Sequence, residues 1–156
     1  INVESAEEMY QASMILFPKM DAAILSAAVA DFRPLHQEEK KIKRNEKANV
    51  TIELIPNPDI AASLGKIKRD DQVLIGFALE TNDEEANATK KMKKKNLDYI
   101  VLNSLTDEGA GFGKDTNKVT IFSRDGNKIS YDLKSKKEVA KDIINVLISK
   151  TTNNDF

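Results

Sequence analysis

Two clusters of lysine are the part of this sequence most suited to chemistry on charged substrates. The first is the basic run Lys40 to Arg44, whose alternate side chains point the same way if the backbone is extended. The second spans 90–95, where Lys91 and Lys95 are four residues apart and share one face of a predicted helix. Ammonium groups in such arrangements neutralise phosphate oxygens, and a flap would supply them once substrate is bound. The clusters therefore predict a polyanion site, although each alone is also typical of a solvated surface.

Three further segments place small, polar or aromatic side chains where ligands approach an α/β sheet. The stretch 26–31 is rich in small residues, and the Asp31 carboxylate suits ribose hydroxyls. At 57–59 a predicted helix start offers free amides to an anion, and Asn57 either caps that helix or turns toward a ligand. Phe77 ends an apolar run and suits a base or sugar. Ligands bind at the carboxyl ends of strands in such sheets, so these segments are candidates, with tight packing or ordinary helix capping as the plainer alternatives.

Helix-capping patterns divide the chain into four helices. A Ser or Thr followed three residues later by Glu satisfies free backbone N–H groups of a first turn, and Pro after Asn is equally typical of a helix start. The four predicted starts are Ser5 with Glu8, Asn57 to Asp59, Thr81 with Glu84, and Ser135 with Glu138. The first three helices are predicted to end before Pro18, near Gly65 and near Lys95.

Short apolar runs between these helices predict the strands. Continuous runs indicate strands covered on both faces of a parallel sheet, whereas alternating runs beside Asp125-Gly126 indicate an antiparallel hairpin. The runs are 22–28, 73–77 and 99–102, an alternating stretch at 50–55, and the hairpin strands at 118–123 and 128–133. The predicted fold class is α/β, with a Rossmann-like wound, mostly parallel sheet flanked by helices and a C-terminal antiparallel hairpin.

Composition excludes several classes of function. A chain of 156 residues forms one domain that buries roughly two-thirds of its unfolded surface. It has no cysteine for a disulfide or thiolate metal site, and its one histidine, His36, cannot build a histidine zinc centre. A net charge of −1 argues against a dedicated nucleic-acid binder. Without an apolar run long enough to span a membrane, or a signal-peptide pattern at Ile1, we expect a cytoplasmic protein. The glycines at 109–113 lack the Lys-Ser/Thr ending of a phosphate loop.

Six motifs, in order along the chain, closely resemble phosphopantothenoylcysteine synthetase, the phosphopantothenate–cysteine ligase of coenzyme A biosynthesis. This enzyme is often the C-terminal half of a bifunctional flavoprotein. The resemblance runs from about Val3 to Leu147. The motifs span 27–34, 41–43, 57–60, 76–81, 95–98 and 112–117.

The resemblance implies a reaction in two steps. The carboxylate of 4′-phosphopantothenate attacks the α-phosphate of CTP, which gives an acyl-cytidylate and pyrophosphate, and the amine of cysteine then displaces CMP. It also implies Mg²⁺ with CTP, a homodimer with the flap near the partner subunit, and FMN only if a decarboxylase domain precedes this one. Lys41 would be the catalytic residue, because it would stabilise the transition state of cytidylation. The implied nucleotide-binding residues are Ser26, Ala27, Asp31, Lys41, Asn57, Pro58, Asp59, Ile60, Ala61, Phe77, Lys91 and Lys95.

The resemblance also sets the expected domain limits. Residues 1–150 correspond to a synthetase domain that lacks an N-terminal segment with a Gly-rich turn, and they include a flexible flap at about 35–48 and precede a frayed tail at 151–156. Two other classes stay open: a non-catalytic nucleotide-binding or assembly module, and an RNA-binding domain that uses the lysine clusters. Metal ligands are unassigned, and CTP is favoured over ATP because the motifs are bacterial in type.

Overall fold

A computed structural model of the chain describes residues 1–36, 40–41, 49, 51–80, 82–104 and 114–152. The helices are α1 (Ala6–Leu16), α2 (Ile60–Ile67), α3 (Glu84–Lys94) and α4 (Lys136–Thr152), with a 3₁₀ turn at Phe17–Lys19. The strands are β1 (Ala22–Leu25), β2 (Phe32–Pro34), β3 (Leu54–Pro56), β4 (Val73–Glu80), β5 (Tyr99–Ser104), β6 (Thr116–Asn117), β7 (Val119–Ser123), β8 (Lys128–Ser130) and β9 (Lys134–Ser135). Among these residues no helix is both long and apolar enough to cross a membrane.

The central sheet has five strands in the order β1-β4-β5-β7-β8. β1, β4 and β5 are parallel, and β7 and β8 extend the sheet in antiparallel pairing. The turn between β7 and β8 contains Gly126 at φ 94°, a backbone conformation that glycine adopts without strain. The predicted fold class is therefore confirmed, including the parallel core and the antiparallel C-terminal hairpin.

Helices cover the sheet on both faces, which explains why its central strands are apolar without alternation. On one face, Leu74 of β4 belongs to the core that α1, α2 and α3 share. On the other face, Ile75 packs in the core beneath α4, which contributes Val139 and Ile143. Successive side chains of a strand point to opposite faces, so a strand between two helix layers needs an apolar residue at every position.

Two helix starts lie where the capping patterns predict them. The Ser5 hydroxyl accepts from the Glu8 N–H at 3.2 Å, although the Glu8 carboxylate accepts from Glu4 and not from Ser5. At α4 the reciprocal pair is complete, because Ser135 N–H donates to Glu138 and Glu138 N–H donates to the Ser135 hydroxyl. α4 continues through Thr152, so the helix includes the first two residues predicted to be a frayed tail, and 153–156 lie outside the described residues.

The other two helix starts correct the prediction. The N-cap of α2 is Asp59 and not Asn57, because the Asp59 carboxylate accepts from the Ala62 N–H at 3.0 Å. α3 begins at Glu84 after Asp83, whose φ of 45° places it in the left-handed region. The predicted cap, Thr81, lies outside the described residues.

A two-stranded antiparallel ribbon of β2 and β3 projects between β1 and α2. The predicted strand at 50–55 is shorter in the structure, where β3 is Leu54–Pro56, and β2 was not predicted. The connection from β2 to β3 contains the whole of the predicted flap, and residues 37–39, 42–48 and 50 of this connection lie outside the described residues. A second short ribbon pairs β6 with β9 in front of α4.

Candidate functional site

A cleft of about 430 Å³ opens at the carboxyl end of β1 and beside the middle of β4, which continues to Glu80. Its walls are the loop after β1, the segment leading into α2, the middle of β4, and two lysines of the α3 region. Pockets of this volume hold small organic ligands. The cleft is lined by eleven of the residues that the sequence assigned to a nucleotide: Ser26, Ala27, Asp31, Asn57, Pro58, Asp59, Ile60, Ala61, Phe77, Lys91 and Lys95.

Hydrogen bonds from Asn57 join two walls of the cleft. Its side-chain amide donates to the Ala30 carbonyl at 2.8 Å, and its backbone N–H donates to the Asp31 carbonyl at 2.8 Å. Arg33 donates to the Asn57 side-chain oxygen at 2.9 Å. These bonds occupy the side chain that was predicted as a helix cap, which is the physical reason that the cap falls to Asp59 instead. They also hold the small-residue loop after β1 against the start of α2.

The Asp31 carboxylate makes no hydrogen bond or ion pair with any residue that the structure describes. It is exposed and lies on the cleft wall. A carboxylate in this state retains all its acceptor capacity for ligand hydroxyl groups.

Asp59 combines a helix cap with an ion pair at the edge of the cleft. Its carboxylate accepts from the Ala62 N–H and from the Lys95 ammonium, each at 3.0 Å. Partial burial is the largest single influence on the pKa of Asp59 and would raise it, but the hydrogen bonds and positive charges outweigh burial. The pKa of this carboxyl is therefore lowered, and Asp59 is charged at neutral pH.

Both lysines of the cleft are paired with acidic residues. The Lys91 ammonium lies 2.8 Å from Glu80 at the end of β4, and Lys95 lies 3.0 Å from Asp59. The Lys95 side chain is only 25% exposed, so its position is restricted by packing as well as by charge. Two ammonium groups and the Asp31 carboxylate line the same cleft, a combination that suits a ligand that carries both phosphates and hydroxyls.

Close packing of α2 against the end of α3 places Lys95. A side chain at Gly65 would bring its Cβ within 2.0 Å of the Lys95 carbonyl oxygen. Only glycine permits this approach between backbones. In β4, a Cβ at Gly76 would lie 2.6 Å from Cδ1 of Leu97, so Gly76 leaves room for this side chain at the floor of the cleft.

Lys41 is the predicted site residue that the structure does not bring to the cleft. It is exposed and is not among the lining residues, and most of its neighbours in the chain are outside the described part. Its proposed catalytic role stays a prediction.

Sequence analysis also missed residues near the site. Met9 and Ser13 of α1 line the cleft, and no motif in the sequence marked them as site residues. Outside the cleft lining, the Asn103 side-chain oxygen near the end of β5 is buried and has no hydrogen-bond partner among the residues that the structure describes. A single Asn at the end of a strand is not a sequence pattern that marks a buried polar site.

The known proteins with related sequences carry the names of enzymes of coenzyme A biosynthesis and of cysteine decarboxylation. A cysteine/cysteine sulfinic acid decarboxylase from an unknown prokaryotic organism is 54% identical over 149 residues, which are 96% of this chain and 41% of that protein. The coenzyme A biosynthesis bifunctional protein CoaBC of Bacillus subtilis (strain 168) is 44% identical over 144 residues, 92% of this chain and 35% of that protein. The chain thus spans about two-fifths or less of these relatives.

Solved structures of related proteins have a similar fold. A crystal structure of the C-terminal domain of CoaBC superposes with a TM-score of 0.77 at 39% identity, over 99% of this chain and 68% of that one. A Cab2 mutant in complex with phosphopantothenate-cysteine superposes with a TM-score of 0.67 at 16% identity, over 98% and 52%, which shows a common fold.

A family model described as the DNA/pantothenate metabolism flavoprotein C-terminal domain matches residues 1–150. This match covers nearly the whole chain, and the order of elements and the sequence motifs agree with it. The chain belongs to the family of DNA/pantothenate metabolism flavoprotein C-terminal domains.

Proposed function

We propose that this chain is the nucleotide-binding part of a ligase that joins 4′-phosphopantothenate to L-cysteine through an acyl-cytidylate formed from CTP, in the cytoplasm. The observation that carries the proposal is the convergence of Asp31, Asp59, Lys91 and Lys95, from distant parts of the chain, on one cleft. Membership of the family and 39% identity to the C-terminal domain of CoaBC support it.

The nucleotide is proposed to bind in the cleft with its sugar and its phosphates against different walls of the cleft. Asp31 accepts hydrogen bonds from the ribose, and half-buried Phe77 packs against the base or sugar. The triphosphate lies near Lys91 and Lys95, where it takes over the ammonium groups from their acidic partners. Mg²⁺ enters with CTP as part of the substrate, because this ion is commonly held through substrate phosphates with one or two carboxylates.

In the proposed chemistry, a carboxylate oxygen of phosphopantothenate forms a bond to the α-phosphorus of CTP while the bond to the pyrophosphate oxygen breaks. The cysteine amine then attacks the acyl carbon, the bond to the CMP oxygen breaks, and the amine loses a proton. The first step brings a carboxylate against a polyanion, so positive charge that concentrates near the α-phosphate lowers its barrier. Lys41 is proposed to supply that charge when the flap at 35–48 approaches.

We propose that a segment preceding residue 1 completes the synthetase domain. In the part of the chain that the structure describes, β1 pairs with β4 only, and its outer edge is open. The helices α1, α2 and α3 pack on one face while the strand order runs from β1 to β4 to β5. Because parallel crossovers are right-handed in nearly all proteins, a parallel strand preceding α1 would lie beyond the open edge of β1.

We also propose a homodimer formed through the ribbon of β2 and β3. Phe32 is 59% exposed and Leu54 is 54% exposed. Because Phe32 is paired with Pro56 and Leu54 with Pro34, these four side chains share one face of the ribbon. A two-stranded ribbon is marginally stable alone, and a second copy would cover this apolar face.

Pyrophosphate release tests the ligase. We expect release with CTP, phosphopantothenate and Mg²⁺, less with ATP, and amide formation on addition of cysteine, in the chain extended at its N-terminus. The chain of 156 residues, without the extension, should bind CTP but release pyrophosphate more slowly. Binding of CTP by titration calorimetry without pyrophosphate release from the extended protein would favour the non-catalytic module. Release of CO₂ from cysteine without nucleotide would instead favour the decarboxylase activity that the name of one relative states.

A further inference from the structure

We propose that Asn96 is a positioning residue that fixes Lys95 for phosphate binding, acting through Gly65 and Arg124. The inference rests on the proposed function, because it takes Lys95 as a ligand of the triphosphate. It concerns the residue immediately after Lys95, which lies outside the lining of the cleft.

Asn96 links three elements at the point where α3 ends. Its φ of 55° lies in the left-handed region, which Asn adopts more readily than most residues and which turns the chain out of the helix. Its side-chain amide donates to the Gly65 carbonyl of α2 at 2.6 Å, and its side-chain oxygen accepts from the Arg124 guanidinium at 2.5 Å. The side chain thus satisfies a carbonyl of α2 and a guanidinium of the β7–β8 turn at once.

Arg124 holds the chain on the other side of Asn96. Its guanidinium also donates to the Leu97 carbonyl, at 3.2 Å from Nε and 3.0 Å from Nη2. Leu97 is itself buried at the floor of the cleft. The backbone from Lys95 to Leu97 is therefore fixed by α2 on one side and by the β7–β8 turn on the other.

This clamp determines where the Lys95 ammonium lies. The Lys95 backbone is against Gly65, while its side chain reaches Asp59 at the first turn of α2. Asp59 and Gly65 are separated by about 9 Å along the helix axis at the usual rise per residue. The Lys95 side chain must therefore extend along α2. Because the backbone at its base is fixed, the side chain has fewer conformations before binding, and the entropy cost of binding a phosphate is lower.

The test compares Asn96→Gly with Asn87→Ala in the N-terminally extended protein. Glycine keeps the left-handed backbone at no steric cost and removes both side-chain bonds. The control removes one bond from an Asn side chain to a backbone carbonyl, at the other end of α3 and outside the cleft. We expect Asn96→Gly to raise KM for CTP about two- to tenfold, the range for ordering one long side chain, with kcat and the KM for cysteine nearly unchanged. Asn87→Ala should leave all three unchanged.

A double-mutant cycle with Lys95→Ala separates positioning from general destabilisation. In the Lys95→Ala background, Asn96→Gly should cause no further rise in KM for CTP, because the group that it positions is gone. An equal rise in both backgrounds, or a lower melting temperature with an unchanged KM, would overturn the positioning role. If Lys95→Ala itself leaves KM for CTP unchanged, the error lies in the proposed nucleotide site, and the role of Asn96 is overturned with it.

Discussion

Replacing Gly65 by Ala tests whether the contact between α2 and α3 or helix propensity decides stability at this position. In the interior of a helix, Gly to Ala alone gains about 1 kcal/mol. Here the new Cβ would lie 2.0 Å from the Lys95 carbonyl oxygen and 2.9 Å from its carbonyl carbon, which are backbone atoms that no side-chain rotation can move away. Overpacking of this kind costs up to about 3 kcal/mol, so the clash exceeds the gain and we expect a net loss of about 2 kcal/mol.

Urea denaturation followed by circular dichroism measures this loss for Gly65→Ala. The matched control is Ala62→Gly in the same helix, for which propensity alone predicts a loss of about 1 kcal/mol. Affinity for CTP should fall as well in Gly65→Ala, because the clash moves the base of Lys95. If Gly65→Ala is as stable as the unchanged chain, or more stable, then the close approach of α2 and α3 does not limit this position and the argument from packing is wrong.

Four other substitutions test separate features. Asp59→Asn keeps the helix cap but removes the ion pair with Lys95, so at neutral pH it should lower the free energy of unfolding by at most about 1 kcal/mol. Because the pKa of Asp59 is lowered in the folded state, its carboxylate contributes its full stabilisation above pH 3.8, the pKa of the unfolded state. Urea titrations should show that the difference in stability between Asp59→Asn and the unchanged chain disappears as pH falls below 3.8 through the folded pKa. The Lys68 ammonium contacts both carboxylate oxygens of Asp98 at 2.6 Å. Lys68→Met would leave this largely buried carboxylate without its ion-pair partner and should lower the free energy of unfolding by about 3 kcal/mol in the same assay. A loss under about 1 kcal/mol would show that the pair is solvated. Phe32→Asp should convert a dimer to a monomer in sedimentation equilibrium, and an unchanged mass would exclude the ribbon as the interface. Lys41→Gln in the extended protein should abolish acyl-cytidylate formation with circular dichroism unchanged, and normal formation of that intermediate would refute the catalytic role.

The sheet was predictable because its central strands are short, continuously apolar runs between turns. β4 is apolar at successive positions, and its short length between two turn regions favours a strand covered on both faces over a buried helix. The ribbon of β2 and β3 had no comparable signal. Its strands have three residues each, two of the six are prolines, and the paired residues are 20 to 24 positions apart in the chain. Such pairing depends on tertiary contacts that local sequence does not encode.

The location of the candidate site was predictable, but its internal contacts were not. Asn57 and Asp59 are both good cap residues, and sequence alone favoured the first. The choice is decided by the Ala30 carbonyl and by Arg33, which engage Asn57 and leave the cap to Asp59. Long-range partners of this kind become visible only when the chain is folded.

The pairing of both cleft lysines with carboxylates has a consequence for selectivity among anions. An incoming anion gains only the difference between its own attraction for an ammonium group and that of the resident carboxylate, since each lysine must change partner. In the proposed site, chloride or a single phosphate would contact one lysine and displace one carboxylate, whereas a chain of phosphates would displace both carboxylates, with the second contact intramolecular. Under the proposed function, these resting salt bridges would favour multivalent anions, which contact both lysines, over simple anions, which contact one.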